Sequence, residues 1–461
     1  MSVFDEAAPA LRALLGPRLD LRDSTRDAHG RDESPFDPRP PDGVAYPVST
    51  DEVAEILRIC SATRLPIVPY GAGTSVDGHI LPTRGGLTLD LSRMDRILDV
   101  DPADLVVRVE AGVHRVALNE RLGRDGLFFP VDPGADATLG GMAATGASGT
   151  LAFHYGSMRQ NVLALRAVLA DGRIVDTGTG TRKSSAGYDL TRLLVGSEGT
   201  LAIITEVTLR VAGIPEEIAA ATCSFPTLSA GAEAAAEIVA SGVPVARCEF
   251  LDGVAMAAVN DRFGLDEPAL PTLFFEFHGS PAGVAEQAEA SGSIVEAHGG
   301  TGFRWSVDQA DRTRLWTARH EALYAALSLR PGARPLSTDV CVPTSRLAEC
   351  VDRAQELLDA APFPAVTIGH VGDGNFHCIL LIDPAAAGEL DEAKRIGEQL
   401  SEIAIELGGT CSGEHGIGLG KRSALAAEVG PVGIELMRAV KTAFDPAGIL
   451  NPDKILLPID G

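Results

Sequence analysis

Residues 69–79 read PYGAGTSVDGH, and the reading of this stretch decides the fold of the first half. The run IVPY before it has strand character, so a strand feeds a turn that packs Gly71, Gly73, Thr74, Ser75 and Gly78 together. Glycines let backbone amides approach a ligand and face an anion, and the two hydroxyls add donors, so a diphosphate fits the turn. A purely structural turn fits as well. The stretch is neither G-x-G-x-x-G opening a helix nor G-x-x-x-x-G-K-[ST], so the Rossmann and P-loop patterns are both missing.

Working outward, PVDPGADATLGGMAATGASGT (residues 130–150) brings Gly134, Gly140, Gly141, Gly146 and Gly149 among small residues, and LLVGSEGTLAIITEV (193–207) sets Glu198 and Gly199 before a strand. Small-residue loops recurring in one region call for a large flat ligand or for unusual turn chemistry. Ser49 opens S-x-x-E, a capping box, and Val53, Ile56, Leu57 and Cys60 follow at helical spacing. The runs GLTLDL, LVVRVEAGV and LAIITEVTLRV read as strands, and Asp171-Gly172 as a hairpin turn. We therefore expect an extended N-terminal lead-in over 1–45 and an α+β domain over 46–216.

Beyond Pro215 Ala-rich helices alternate with strands, with one long helix over 308–329, which predicts an antiparallel sheet with helices on one face. This second domain spans 217–440, and residues 441–461 form a segment returning to the first. Within it, IGHVGDGNFHCILL (368–381) is the most informative stretch. A two-residue turn at Asp373-Gly374 sets His370 opposite His377, and directly opposed residues have Cβ atoms about 4.5–5.5 Å apart, so both imidazoles can reach one cation. In CSGEHGIGLGKR, Glu414 can complete a His-His-Glu set and His415 is left to take a proton; each of these motifs, alone, is also compatible with plain solvation. Arg319 falls on one helical stripe with Leu315 and Leu323, so its guanidinium needs an anionic partner, either a substrate carboxylate or a protein one, unless it snorkels to the surface.

The net charge of −24 without a basic run repels nucleic acid and anionic lipid, so an acid substrate needs a local cationic site. No apolar run reaches the ~20 residues of a membrane span, and the acidic MSVFDEAAPALRALL lacks the charge of a leader. These features point to a cytoplasmic protein, or one peripheral at a membrane, with no integral membrane contact. Seven scattered cysteines without C-x-x-C exclude a disulfide framework, a zinc ribbon and haem attachment, and most are expected in the core.

PYGAGTSVDGH, DPGADATLGG, YGSMRQNVL and GSEGTLAIITE together resemble the PCMH-type FAD-binding domain of the vanillyl-alcohol oxidase superfamily, in the branch of D-lactate dehydrogenases and the glycolate oxidase large subunit. ARHEALYAALSLRPGARPLSTDVCVP, GHVGDGNFHCILL, GTCSGEHGIGLGKR and FDPAGILNPDKIL extend the resemblance, over 218–457, to the FAD-linked D-lactate dehydrogenase family. The resemblance implies two α+β subdomains for FAD and a substrate domain whose antiparallel sheet is covered by helices. It implies FAD contacts from Gly71, Ala72, Gly73, Thr74, Ser75, Gly78, Pro130, Asp132, Thr138, Gly141, Ser148, Gly149, Glu198, Ile204 and Asn451. Some superfamily members attach FAD to a histidine where Thr74 stands here, so FAD is expected to be non-covalent.

By the same resemblance His370, His377 and Glu414 hold a divalent metal (zinc, manganese or iron), His415 is the base, and Arg319 clamps the substrate carboxylate. The implied reaction oxidises a D-2-hydroxy acid to the 2-oxo acid, with hydride passing to flavin N5. The second-carboxylate Thr and Lys of D-2-hydroxyglutarate dehydrogenases are replaced by Leu323 and Ser337, which favours a monocarboxylate such as D-lactate; glycolate oxidase or a broader D-2-hydroxy-acid dehydrogenase is the alternative. Expected partners are the small acid, an external electron acceptor (cytochrome, quinone or flavoprotein) and a second copy in a homodimer. A metallohydrolase and a non-catalytic oxidase subunit are the rival readings from other classes.

Overall fold

The computed structural model describes residues 2–458. By contacts the chain divides into two units. One comprises the residues up to Ser148, Gly156–Ile214 and those from Glu414 onward; the other comprises Gly149–Tyr155 and Pro215–Gly413. The change at Ile214/Pro215 falls beside the composition break in the sequence. The change at Glu414 comes well before residue 441, where the sequence suggests the return.

Among the described residues the first unit holds two main sheets and a two-stranded pair, Leu127–Phe128 with Ala212–Gly213. Strands β1 (Gly43–Ala45), β2 (Ile67–Tyr70) and β3 (Leu87–Asp90) are parallel, with β3 in the middle. Helix α1 (Thr50–Thr63) packs Val53, Ile56, Leu57 and Cys60 onto them, as its spacing predicts. Ser49 caps it by accepting from Glu52 N (3.2 Å), but the capping box is half made. The Glu52 carboxylate instead takes Val48 N (3.0 Å) and pairs with Arg18. The lead-in is not extended throughout: Val3–Leu15 is a helix whose Phe4, Ala7, Leu11 and Leu15 enter the same core. Their three- and four-residue spacing is the cause.

The second sheet contains β4 (Ile97–Asp101), β5 (Val106–Glu110), β6 (Val162–Val168), β7 (Ile174–Gly178) and β8 (Ile203–Arg210), antiparallel in the order β4-β5-β8-β6-β7. The Asp171-Gly172 hairpin forms, with Gly172 at φ 81°. Helix α2 (Leu139–Thr145), capped by Thr138, contributes Leu139, Met142 and Ala143 to this sheet's core.

The second unit is one antiparallel sheet: β9 (Glu217–Ser224), β10 (Val245–Leu251), β11 (Thr272–Gly279), β12 (Thr301–Ser306), β13 (Arg334–Ser337), β14 (Ala365–His370) and β15 (Asn375–Ile382), in the order β12-β9-β11-β10-β14-β15-β13. A two-residue strand, Val340–Cys341, also pairs with β15.

Helices cover both faces, not one. Helices α3 (Leu228–Ala240), α5 (Pro281–Ala297), α8 (Leu347–Asp359) and α9 (Glu389–Glu406) share a core with Ala221, Phe275, Phe277, Cys378 and Leu380. On the other face α4 (Gly253–Phe263), α6 (Gln309–His320) and α7 (Ala322–Leu327) pack on Ala220, Leu251, Phe274, Val366, Ile368, Ile379 and Leu381. Every residue of β15 is buried, the pattern of a strand covered on both sides. The helix expected over 308–329 breaks at Glu321 (φ −84°, ψ 3°), so Leu323 lies on α7 and not on the helix that carries Arg319.

Six cysteines are buried and Cys341 is half-buried; all are free thiols. Among the described residues no helix is long and apolar enough to cross a membrane.

Candidate active site

The α6-covered face of the second unit's sheet is divided in two. Alternation puts residues two apart on one face. Leu251, Phe274 and Ile368 make its apolar half, and the same rows continue as Glu249 and Arg247 on β10, Glu276 and His278 on β11, and His370 on β14. A polar patch is thereby built onto a sheet whose remainder is core.

The turn between β14 and β15 differs from the expected one. The register pairs His370 with Asn375 and Ile368 with His377, so the loop is Val371–Gly374 and not two residues. It closes through Asp373 N to His370 O (3.1 Å) and Gly374 N to Val371 O (3.2 Å), with Gly374 at φ 78°. Gly374 has no room for a side chain, since a Cβ would lie 2.0 Å from the Val342 carbonyl oxygen. The correction is a slip of two residues, which preserves facing, whereas a slip of one would turn every side chain over. His370 and His377 are therefore diagonal neighbours, with ring centroids 5.4 Å apart and planes at 82°.

Both rings are held by Nδ1. That of His370 meets Glu249 Oε1 (2.7 Å), and that of His377 meets the Thr338 carbonyl (3.0 Å). Carbonyl and carboxylate oxygens only accept, so Nδ1 carries the proton and Nε2 is the ring atom with a lone pair. This is the support that metal-bound histidines receive. Gly413 packs its backbone on Asn375, where a Cβ would meet Nδ2 at 2.1 Å, and Asn375 donates to Asp339 (2.7 Å). Glu414 is the next residue along the chain. One donor atom from each of His370, His377 and Glu414 lies within 4.8 Å of the others, close to the roughly 4.2 Å limit for two ligands at ~2.1 Å from one ion.

Arg319, 5% exposed, donates from Nη2 to Glu249 Oε2 (2.6 Å), so its partner inside the protein is a carboxylate. Its Nε is buried with no acceptor among the described residues. One carboxylate, Glu249, thus bridges His370 and Arg319. Burial opposes its ionisation, but the His370 ring and the Arg319 guanidinium outweigh that and hold its carboxyl below the usual range. The sequence reading missed Glu249. Its signal is faint: in ARCEFL, charged residues stand two apart within an otherwise buried strand.

In the first unit the glycine segments meet at the end of β2. A Cβ on Gly71 would lie 2.3 Å from Thr138 Oγ1, and one on Gly199 2.3 Å from the Pro69 side chain. Thr138 also accepts from Gly141 N (3.4 Å). Gly73 and Gly78 both sit at φ 77°. The half-buried run Gly71–Ser75 ends with Ser75 Oγ bonded to Asp32 (3.3 Å). Pro130 is buried, Asp132 and Ser148 are half-buried, and Ile204 lies in the core of the second sheet. Gly149 opens the short segment counted with the second unit. Glu198 and Asn451 are bonded to each other, Asn451 Nδ2 donating to Glu198 O (2.7 Å) and to His79 O (2.9 Å). His415 is half-buried in the loop that follows Gly413.

Glycine loops gathered at a strand end in one unit, and a sheet face bearing two oriented histidines in the other, make a two-domain chain with a ligand cradle and a candidate cation site. Residues 214–455 match the family model described as FAD linked oxidases, C-terminal domain, and residues 41–178 match the one described as FAD binding domain. The chain belongs to the family of FAD linked oxidases. It is 46% identical over 459 residues to a Danio rerio protein named probable D-lactate dehydrogenase, mitochondrial, covering 99% of this chain and 92% of that one. It is 42% identical to the Arabidopsis thaliana D-lactate dehydrogenase (cytochrome), mitochondrial, over 98% of this chain and 80% of that one. The fold matches the structure of p-cresol methylhydroxylase with substrate bound, at a TM-score of 0.83 and 16% identity over 100% of this chain and 98% of that one.

The residues present fit FAD. Around the glycine segments His79 Nδ1, Ser197 Oγ and Asn451 Oδ1 are buried polar atoms with no partner among the described residues, as in a cradle whose ligand supplies the missing bonds. A divalent cation is fitted by two neutral imidazoles and a carboxylate, a donor set that suits zinc, manganese or iron.

Proposed function

We propose that this protein oxidises D-lactate, or a closely related D-2-hydroxy monocarboxylate, to the 2-oxo acid and passes the electrons to an external acceptor. The observation that carries the reading is the pair of histidines on one sheet face, each ring held by Nδ1, that gather with Glu414 in a group able to hold a metal ion, in a chain of this family. FAD is held by the loop from Gly71 to Gly78, with Pro130, Asp132, Thr138, Gly141, Ser148, Gly149 and Ile204 around it, and the metal by His370, His377 and Glu414. When bound, FAD supplies a two-electron acceptor for the Cα hydride, and a divalent cation polarises the substrate hydroxyl.

The chain's own residues do the rest. His415 takes the hydroxyl proton as general base. Arg319 offers its remaining N–H groups to the substrate carboxylate, while Glu249 keeps the guanidinium from leaving. Leu323 and Ser337 leave no cation for a second carboxylate, which supports a monocarboxylate. The relatives named for cytochrome support a cytochrome as acceptor over a quinone or flavoprotein. Placement in the cytoplasm or at a membrane periphery, and a homodimer, belong to the same reading.

Anaerobic mixing with a panel of acids tests it. Flavin absorbance near 450 nm should bleach with D-lactate and its branched analogues, about tenfold or more faster (in kcat/KM) than with glycolate or D-2-hydroxyglutarate, and not with L-lactate; such a factor is ~1.4 kcal/mol of discrimination. Bleaching led by glycolate would replace D-lactate as substrate, and no bleaching with any 2-hydroxy acid would sink the reading. Dialysis against a chelator should abolish bleaching without releasing flavin, and added zinc or manganese should restore it. Full activity in metal-free protein would remove the cation from the mechanism.

A further inference from the structure

We propose that Glu198, with Asn451 and the buried His79 behind it, is a clamp that positions the loop carrying Glu414 and His415, its carboxylate serving that loop in place of the flavin contact that resemblance implies for Glu198. The inference rests on the roles given above to Glu414 and His415. Glu198 is 5% exposed, and its carboxylate accepts from the backbone N–H of Ile417 (2.7 Å) and of Gly418 (2.9 Å). The same carboxylate stands 3.4 Å from His79 Nε2, an ion pair with both side chains almost wholly buried. Asn451 closes the knot by tying together the carbonyls of His79 and Glu198.

Glycines let the loop lie flat on this pair. Gly416 sits at φ 82°, and a Cβ there would be 2.7 Å from His79 Nε2 and 2.8 Å from Glu198 Oε1. Gly418 sits at φ 50°, where a Cβ would be 2.1 Å from the Asp77 carbonyl oxygen. His415 is joined directly to the pinned Gly416, and Glu414 is one residue further, so their Cα positions follow from where Glu198 holds the backbone. The clamp is also under strain. Glu198 adopts a left-handed conformation, φ 52°, that side-chain-bearing residues seldom take, and Asn451 sits at φ 39°, a region Asn tolerates better.

Strained backbone and a buried ion pair persist where surroundings over-determine them, commonly at functional sites. A carboxylate serves here because its two oxygens accept from two adjacent amides, which an apolar group of like size would leave buried and unpaired.

The experiment uses Glu198→Gln in the FAD-loaded enzyme. Gln keeps the shape but sets an NH₂ against one of the two amides, so one loop bond is lost. Metal per protein by elemental analysis, FAD per protein by absorbance, and the pH profile of kcat/KM for D-lactate are read together. We expect unchanged FAD content, metal affinity lower by about 10–100-fold, and an acid limb displaced from that of the wild type. Wild-type metal affinity and pH profile would overturn the clamp; loss of FAD with metal retained would overturn it too, making Glu198 a flavin contact. Should E198Q fail to fold, His79→Asn, which spares both amide bonds but removes the counter-ion, is expected to move metal affinity and acid limb in the same direction by a smaller factor. If it moves neither, the clamp is wrong. A wild-type enzyme that holds no metal defeats the donor-set reading alone, and the clamp is then decided by the pH profile.

Discussion

Replacing His415 by Ala is expected to lower kcat for D-lactate about 10²–10⁴-fold, the range for removing a general base, while FAD and metal stay bound. The sign of the pH dependence follows from its role. A base works unprotonated, so wild-type kcat/KM should fall as pH drops through the imidazole range, ordinarily near ~6.5, and H415A should lose that acid limb. Wild-type turnover in fully loaded H415A would exclude His415 as the base. A rise in KM alone, with kcat unchanged, would assign it to binding. The Gly416 backbone beside it keeps its place in this variant, because Glu198 bonds to Ile417 and Gly418 and not to His415.

Glu249→Ala is expected to combine two losses. The Arg319 guanidinium, 5% exposed, would remain buried without its carboxylate, and breaking a buried ion pair from one side costs about 3–5 kcal/mol. The His370 ring would also lose the acceptor that fixes its tautomer, for which 10–100-fold weaker metal binding is usual. Denaturant unfolding and metal titration measure the two separately. Glu249→Gln, which can still accept from one partner, should recover part of the stability but little of the metal affinity. If E249A unfolds at the wild-type denaturant concentration, Glu249 is not holding Arg319. The same experiment bears on the substrate site, since Arg319 reaches a substrate carboxylate only if its own position is fixed.

Much of the fold was legible because it is set by local periodicity. Ser49 and the apolar spacing of Val53–Cys60 specify α1, and the Asp171-Gly172 turn specifies the β6–β7 hairpin. The helix Val3–Leu15 was equally legible in its four-residue spacing but was overshadowed by the polar residues that follow it. Other features depended on partners distant in sequence. Helix α6 is rich in charged residues, yet its Trp316 and Arg319 are buried against β10 and its neighbours, so the helices of one predicted face became helices on two. The break at Glu321 likewise follows from packing two short helices there, not from any proline or glycine.

For the site, residue type and spacing already selected His370, His377 and Glu414, because side-chain period along a strand constrains which residues share a face. What sequence could not supply was the register. The two-residue turn inferred from Asp373-Gly374 gave way to the longer Val371–Gly374 loop, fixed by bonds from Gly372 N to the Cys248 carbonyl and from Val342 N to that of Gly374. Both bonds reach across the sheet to strands far away in the chain. The histidines stayed on one face only because the slip was even.

By itself, then, the sequence determined which residues are suited to bind a cation, which loops are glycine-rich enough to approach a ligand, and that no basic run and no apolar run of membrane-helix length stands in it. Tertiary structure alone decided that Glu249 joins His370 to Arg319 and that Glu198, itself tied to Asn451, bonds to the loop after Glu414. The physical reason is that a buried charge must find its counter-charge or its N–H donors wherever the fold delivers them, and nothing in the local sequence around Glu249 or Glu198 records which groups those are.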